Sequence, residues 1–242
     1  MMIRVLLAAI LAGLIAGVFY TGAQAVKVVP IILEAETYEN AGEAGAETLE
    51  NHAHATEAEA KTEHEHDPNA WAPENGFERT FYSLISNSIV GVAYSLLMVA
   101  AILLSKLPIS PRLGMIWGAA GFVIFVLAPG LGLPPEVPGT IAASVPARQA
   151  WWILTVSATA IGLGLFAFKT QWYWLALGLV LLVAPHVYGA PQPVHHESLA
   201  PANLAAEFVI AAIVTAGVFW LFLGAVLGWM LPRALAEKPG KT

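Results

Sequence analysis

Histidine and carboxylate side chains are concentrated in one polar segment of the sequence, residues 34–78. This segment contains thirteen of the seventeen acidic residues and four of the seven histidines. The four histidines are His52, His54, His64 and His66. Imidazole and carboxylate are suitable ligands for Co(II), Ni(II) or Zn(II), and alternation places His64 and His66 on one side of an extended segment. The pattern favours a cation-binding segment of loose geometry over the alternative, an acidic loop that is simply solvated.

A second group of carboxylates lies where the first apolar run ends. Glu34 and Glu36 are followed one turn later by Glu39. Carboxylates at this position can simply mark the boundary between lipid and water. They can also form the anionic mouth that a cation needs when it enters a membrane protein. We therefore treat Glu34 and Glu36 as candidate metal ligands.

A third group surrounds the loop that precedes the last apolar run. It contains His186, His196 and Glu207, with Asn203 as a weaker oxygen donor one helical turn before Glu207. An ionisable residue at membrane depth, as we expect Glu207 to be, is a functional candidate by default. The group predicts a metal site at the outer end of the protein. The alternative is that His186 ends a helix and that His195 and His196 face water.

Two patterns concern helix packing. Ala9, Gly13 and Gly17 recur every four residues, and this spacing predicts that a second helix approaches closely. Asn87 and its two serine neighbours lie inside an apolar run. Such groups more often form hydrogen bonds between membrane helices than contact a substrate, so we expect Asn87 to bond to a neighbouring helix.

Composition assigns the class of protein that must position these residues. The chain is 57% hydrophobic and only 12% charged, against about one quarter charged in soluble domains. Its apolar residues form six runs, at residues 1–33, 81–104, 115–131, 151–168, 172–185 and 204–231. The prediction is an all-α polytopic integral membrane bundle of about six transmembrane helices, with a long acidic, histidine-containing extracytoplasmic loop. The run at 172–185 is short for a full span.

These runs divide the chain into four parts. We expect a first transmembrane helix at residues 1–33, a largely disordered outer loop at 34–80, a five-helix bundle at 81–231 and a basic cytoplasmic tail at 232–242. Residues 1–25 also fit a cleavable signal peptide, which is the alternative for this region. With both termini in the cytoplasm, seven of the eleven Lys and Arg residues lie inside. They are Arg4, Lys106, Arg112, Lys169, Arg233, Lys238 and Lys241.

Several classes of protein are disfavoured. The sequence has no cysteine, so thiolate metal sites and disulfides are excluded. It also lacks a basic stripe for nucleic acid, a Walker P-loop, an H-E-x-x-H motif and a G-x-S-x-G motif. We expect neither enzymatic activity nor a bound organic cofactor. The lipid bilayer is the expected environment.

The chain resembles the CbtA family of predicted bacterial cobalt transporter subunits. The resemblance rests on five segments in the same order: PIILEAETYE at 30–39, PGLGLPPEVPG at 129–139, WWILTVSATAIGLG at 151–164, APHVYGAPQP at 184–193 and HHESLAPANLAAEF at 195–208. It implies an inner-membrane protein linked to cobalt supply for cobalamin synthesis, and a small CbtB-type partner with one span. The family is usually described with five spans, whereas this sequence has six apolar runs.

The predicted function is therefore that of a subunit of an inner-membrane transporter for divalent metal uptake, with Co(II) as substrate ahead of Ni(II) or Zn(II). The outer loop would collect the cation by electrostatic attraction, and the Glu and His residues at the outer mouth would pass it inward. Two alternatives remain open. One is a non-transporting accessory subunit of a membrane complex, and the other is a membrane-anchored periplasmic metal buffer.

Overall fold

The structure, a computed structural model, describes residues 1–50, 73–193 and 198–236, and for residues 43–50 it describes the backbone alone. The regular elements in these ranges are all helical. They are α1 (Met2–Lys27), α2 (Val29–Glu50), α3 (Phe77–Ser105), α4 (Pro111–Phe122), a π-helical turn (Val123–Leu127), α5 (Ala128–Gly130), α6 (Val145–Phe168), α7 (Trp172–Tyr188) and α8 (Ala202–Leu235). The all-α prediction is confirmed.

Five segments in the described ranges are long and apolar enough to cross a membrane. They are α1, α3, the continuous segment Pro111–Gly130, α6 and α8. The sixth apolar run forms α7, which has 17 residues. At 1.5 Å per residue this helix is about 26 Å long, slightly less than the ~30 Å hydrocarbon core of a bilayer. The polytopic membrane bundle is thus observed, and the run predicted to be short forms the shortest of its apolar helices.

The first helix differs from the prediction in both length and continuity. Instead of one helix over residues 1–33, α1 ends at Lys27 and α2 begins at Val29. Pro30 supplies no backbone N–H and disfavours a helical conformation in the residue before it, which explains a break at this place. Residues 34–50, which we expected to belong to a largely disordered loop, are helical because Ala and Glu favour the helix. Residues 51–72 lie outside the described ranges.

Helices α1 and α3 pack along small residues. Gly13 lies against the backbone of Gly91 and Val92, and a Cβ at Gly17 would come within 2.6 Å of the Ser88 Cα. The spacing of Ala9, Gly13 and Gly17 therefore positions a second helix as predicted. Farther toward the chain termini, the Ser95 hydroxyl donates a 2.6 Å hydrogen bond to the carbonyl of Ala9, which joins the two helices inside the bundle.

Helices α4 and α8 pack even more closely, through glycine on both sides. A Cβ at Gly114 would overlap the carbonyl oxygen of Gly224, and one at Gly118 would overlap the carbonyl oxygen of Trp220. Helix α8 also packs against α1, and its fully buried Leu223 and Leu227 belong to the main apolar core. These contacts make α1, α3, α4 and α8 one compact group of helices.

Helices α6 and α7 form an antiparallel hairpin beside this group. Gly162 faces Gly178 near the middle of the hairpin, and the Trp151 indole N–H donates to the carbonyl of Pro185 at 3.3 Å. The hairpin contacts the rest of the bundle at the π-helical turn and α5. Phe125 of that turn lies between Trp152 of α6 and Trp220 of α8, with ring centroids 6.3 Å and 5.5 Å away.

The start of α1 and the last described residues, at the end of α8, lie at one end of the bundle. The Arg4 guanidinium donates hydrogen bonds to the carbonyls of Arg233 and Ala236, and Gly228 of α8 packs on Ser110 at the start of α4. The opposite end, which we call the acidic end, carries α2, the start of α3, the connector at residues 131–144 and the described parts, 189–193 and 198–201, of a second connector. The two connectors meet there, because Leu199 N–H donates to the carbonyl of Gly139 at 3.3 Å.

Candidate functional site

A cavity of about 190 Å³ lies at the acidic end, where α1, α2 and α3 meet. We call it the vestibule. Its walls are the last turns of α1, the first turns of α2 and the first turns of α3. The lining residues are Thr21, Gln24, Ala25, Val29, Leu33, Asn75, Gly76, Arg79, Thr80 and Ser83. More than half of them are polar, although α1 and α3, which carry most of the polar ones, are apolar enough to span a membrane.

The floor of the vestibule is a hydrogen-bonded cluster between α1 and α3. The Asn87 side-chain amide donates to Gln24 Oε1 at 2.7 Å and to Thr21 Oγ1 at 3.0 Å, and the Thr21 hydroxyl donates to the carbonyl of Gly17 at 2.9 Å. The expectation that Asn87 bonds to a neighbouring helix is confirmed. Its partners are polar groups that line the vestibule, so the cluster also supplies amide and hydroxyl oxygens to that cavity.

The rim of the vestibule carries an ion pair between α2 and α3. Arg79 Nη1 lies 2.8 Å from Glu36 Oε1, and Arg79 Nη2 lies 3.1 Å from Glu36 Oε2. This is the two-point geometry that a guanidinium and a carboxylate favour. Both side chains are about one quarter exposed, and Arg79 Nε is buried without an acceptor among the described atoms. Glu36 is thus not a free carboxylate in this structure.

The neighbouring glutamates are placed differently. Glu34 is exposed on α2, and its backbone carbonyl accepts a 2.7 Å hydrogen bond from the Thr37 hydroxyl. Glu39 is half-buried, and its Cβ lies near Gly139 of the connector between α5 and α6. Glu34 and Glu36 therefore share a helix but not a site, because they point to different sides of α2.

The predicted third group is only partly described. His186 is half-buried at the end of α7, where its ring makes an edge contact with Trp151 at a centroid distance of 6.0 Å. Glu207 and Asn203 are exposed on α8. His195 and His196 lie outside the described residues, as do His52, His54, His64 and His66. The role of all these side chains as metal ligands stays a prediction.

Across the described ranges, no three His, Asp or Glu side chains are grouped closely enough to hold a metal ion. The carboxylates that are described are either paired or dispersed. A cation at this end of the bundle would therefore be held by one carboxylate together with neutral oxygens and water, rather than by a closed set of charged ligands.

A second, larger cavity at the acidic end makes a useful contrast. It measures about 340 Å³ and lies under the proline-rich connector, beside the first turns of α8. It also contains an ion pair, with Arg148 Nη2 2.9 Å from Glu136 Oε2, but much of its remaining wall is Pro, Ala, Val and Leu. Its polar wall residues include Thr140 and Ser198, whose hydroxyl oxygens lie 3.2 Å apart, and Gln192, whose amide donates to the carbonyl of Gly132. These groups lie in the connectors, whereas the cluster of Asn87 lies between two apolar helices.

The sequence did not reveal the polar partners that build the vestibule. Arg79 pairs with a residue 43 positions away, and Gln24 and Thr21 bond to a residue 63 and 66 positions away. Each of these residues could have been noticed as a polar side chain beside apolar sequence, since Thr21 and Gln24 lie near the end of an apolar run. Arg79 directly precedes the second run. Their convergence depends on how α1, α2 and α3 pack.

Comparison with known proteins gives one match. The model of the family described as "Probable cobalt transporter subunit (CbtA)" matches residues 2–232, which is nearly the whole chain. No match was found among the curated proteins or among the solved structures.

Proposed function

The chain belongs to the CbtA family of probable cobalt transporter subunits, and from this premise we propose that it is the cation-admitting subunit of a Co(II) uptake system. It is a membrane protein with helices suited to span the bilayer, and the family description makes it part of a larger transporter. In this proposal Co(II) is the substrate, the protein performs no catalysis, and the vestibule is the entrance.

The observation that carries the proposal is the polar vestibule above Asn87. A half-buried amide between two apolar helices is unfavourable in lipid unless it is hydrogen-bonded, and packing does not require it here because glycine already brings α1 and α3 together. The carboxylate of Glu36 at the rim and the lining side-chain oxygens of Gln24 and Thr21, which accept from the Asn87 amide, are groups that can bind a cation. Oxygen ligands of this kind suit a partly hydrated divalent ion in general, Mg²⁺ and Mn²⁺ included, so the vestibule would admit a dication without selecting Co(II).

We place the acidic end outside the inner membrane and both termini in the cytoplasm. The other end carries Arg4 and Arg233, together with the turn that contains Lys106, as the positive-inside rule requires. An inside-negative potential would then favour uptake by about 2.3 kcal/mol per charge per 100 mV, or about twice that for a dication. The potential alone is thus a sufficient driving force for accumulation.

The histidine-containing segment would act before the vestibule. Its imidazoles and carboxylates would raise the local concentration of cations, while Glu34, His186, His196 and Glu207 would add weak binding positions around the outer surface. Because ligand imidazoles must be neutral, collection by this segment would weaken below about pH 6.5. A CbtB-type subunit with a single span would complete the transporter.

One observation favours the accessory-subunit alternative. Immediately below Asn87, α1 and α3 touch backbone to backbone at Gly13 and Gly91, so this contact closes the interface beneath the vestibule. In that alternative the chain supports a partner that carries the path. Transport through this chain instead requires α1 and α3 to separate at that contact.

Cobalt accumulation in cells with and without the protein tests the proposal. We expect accumulation to depend on the chain and to be lost when Asn87 is replaced by Leu. Accumulation that needs the chain but is unaffected by Asn87→Leu would favour the accessory role. Equal accumulation with and without the chain would contradict both.

The proposed orientation has its own test, because the chain has no cysteine and single thiols can be introduced cleanly. Ala41 is exposed on α2 at the acidic end, and Lys106 lies at the opposite end. We expect a membrane-impermeant maleimide to label Ala41→Cys in intact spheroplasts and Lys106→Cys only after permeabilisation. The reverse pattern would overturn the proposed direction of uptake.

A further inference from the structure

We propose that the vestibule is a binding site for one partly hydrated divalent cation and that Arg79 occupies this site when the cation is absent. The guanidinium of Arg79 would stand where the cation binds to Glu36. Cation binding would then displace Arg79 from the carboxylate. This inference rests on the proposed function, which it deepens by naming the site and its internal competitor.

The geometry of the rim supports a competitive role for Arg79. Both guanidinium nitrogens that contact Glu36 are within hydrogen-bonding distance, at 2.8 Å and 3.1 Å, so they use both carboxylate oxygens. A divalent ion binding to the same two oxygens would have to take the place of those nitrogens. Because it carries twice the charge of the guanidinium, a dication at the same position is attracted more strongly by the carboxylate.

The pairing of Arg79 is also incomplete, which makes it replaceable. Its Nε is buried and has no acceptor among the described atoms, so the guanidinium does not use all of its donors in this position. A cation that released Arg79 toward water would allow that N–H to be hydrated. The side chain is 26% exposed, so water is within reach of its outer part.

The interior of the vestibule offers the remaining ligands. Val29, Leu33 and Glu36 lie on one stripe of α2. Val29 and Leu33 line the cavity, and the Glu36 carboxylate lies beside it through its pairing with the lining residue Arg79. Below it lie the oxygens of Gln24 and Thr21, each already oriented by the Asn87 amide. A cavity of about 190 Å³ has room for a cation and several water molecules, each of which takes up about 30 Å³ in the liquid.

The electrostatics of the mouth favour a cation over an anion. Next to the vestibule, the Glu78 carboxylate accepts a 2.9 Å hydrogen bond from the backbone N–H of Glu74. The charged residues in or directly beside the lining segments are Glu36, Glu74 and Glu78 on the negative side and Lys27 and Arg79 on the positive side. Their formal sum is −1, which favours a cation.

Calorimetric titration of the full-length protein with CoCl₂ tests the inference, using protein purified together with any subunit that copurifies. Removing the competitor with Arg79→Gln should tighten Co(II) binding about tenfold. Removing the carboxylate with Glu36→Gln should weaken it at least tenfold. Both variants break the same ion pair. If that pair were only structural, the melting temperature would shift in the same direction in Arg79→Gln and Glu36→Gln, and so would the Co(II) affinity.

The second ion pair at the acidic end provides the matched control. The side chains of Glu136 and Arg148 are similarly exposed and lie 2.9 Å apart, but the polar groups in their cavity belong to the connectors and not to a pair of apolar helices. Glu136→Gln and Arg148→Gln should change Co(II) affinity by less than twofold. Affinity changes of the same sign in Arg79→Gln and Glu36→Gln would overturn the inference, as would the absence of Co(II) binding in both the wild type and Arg79→Gln. If either result were obtained while cells still accumulated cobalt, the inference would be contradicted and the proposed function would not.

Discussion

The helix pairs α1–α3 and α4–α8 both pack through glycine, yet only α1–α3 borders the polar cavity that we propose as a cation site. In both pairs, glycine brings two backbones into direct contact, at Gly13 and Gly91 in the first and at Gly114 and Gly224 in the second. The α4–α8 contact is made by glycine and by the large ring of Trp220. The α1–α3 contact additionally holds the amide of Asn87 and its partners.

From this difference we infer that the polar groups of α1–α3 are not needed to bring these two helices together. Membrane helices bind each other through close packing, and interhelical hydrogen bonds add on average only about 0.6 kcal/mol each. An amide inserted there brings little stability and a risk of leaving polar atoms unpaired in lipid. Its presence is better explained by the vestibule that it faces. The α4–α8 pair, in contrast, is explained by stability alone.

The largest expected effect comes from breaking the α4–α8 contact. A side chain at Gly224 meets the backbone of Gly114, which cannot move without separating the helices, so Gly224→Leu should cost more than the ~3 kcal/mol at the upper end of ordinary overpacking. We expect loss of the monodisperse peak in size-exclusion chromatography and little folded protein. Gly164→Leu on α6, where a Cβ has no neighbour within 4 Å, is the control and should remain folded. Equal behaviour of the two variants would refute the packing comparison.

The second-largest effect is expected from Asn87→Leu, which distinguishes the contribution of the α1–α3 contact to cobalt uptake from its contribution to stability. Asn87→Leu removes the hydrogen bonds to Gln24 and Thr21, and we expect about 1–2 kcal/mol of destabilisation from two such bonds. Co(II) accumulation by cells should nevertheless fall at least tenfold, after correction for the amount of protein in the membrane. Accumulation that falls only in proportion to the folded protein would make Asn87 a structural residue and remove the contrast between the two pairs.

A smaller effect is expected from the polar segment outside both pairs. Deleting residues 51–72 removes His52, His54, His64 and His66, which we propose to raise the local cation concentration. Accumulation should fall about three- to tenfold at limiting Co(II), and the loss should disappear at saturating Co(II) because collection no longer limits entry. Measuring the uptake rate as a function of Co(II) concentration distinguishes weaker collection of the cation from a lower maximal rate. A reduced maximum would assign the segment a role in transport itself.

The smallest effect is expected from the other hydrogen bond of the α1–α3 contact. Ser95 is fully buried and donates to the carbonyl of Ala9, but it lies away from the vestibule. Ser95→Ala should lower stability by about 0.6–1 kcal/mol and leave Co(II) accumulation within twofold of the wild type. A loss of uptake as large as that of Asn87→Leu would show that the whole interface, rather than the vestibule, is needed.

The fold was largely accessible from the sequence because lipid imposes strong rules on composition. Apolar run lengths predicted the number and place of the helices, and the spacing of Gly13 and Gly17 predicted a close partner for α1. Gly114 and Gly118 have the same spacing, but it was not used to predict the close contact between α4 and α8. The extension of α2 to Glu50 was missed because polarity was taken as a sign of disorder, although Ala and Glu form helices readily.

The candidate site was much less accessible. Glu36 was predicted as a ligand from its position at the end of an apolar run, but its pairing with Arg79 depends on how α2 leans toward α3. Nothing in the local sequence around residue 79 indicates that contact. The histidines attract attention because of their chemistry, yet six of the seven lie outside the described residues, and the seventh, His186, packs against Trp151.

Uptake of Co(II) by liposomes containing the purified protein and its copurifying subunit tests the central claim most directly. With an inside-negative potential imposed, we expect the wild type to admit Co(II) well above the rate of protein-free liposomes, and Asn87→Leu to match those liposomes. Equal uptake by Asn87→Leu and the wild type, or no uptake by either, would contradict the assignment of the vestibule as the entrance for the cation.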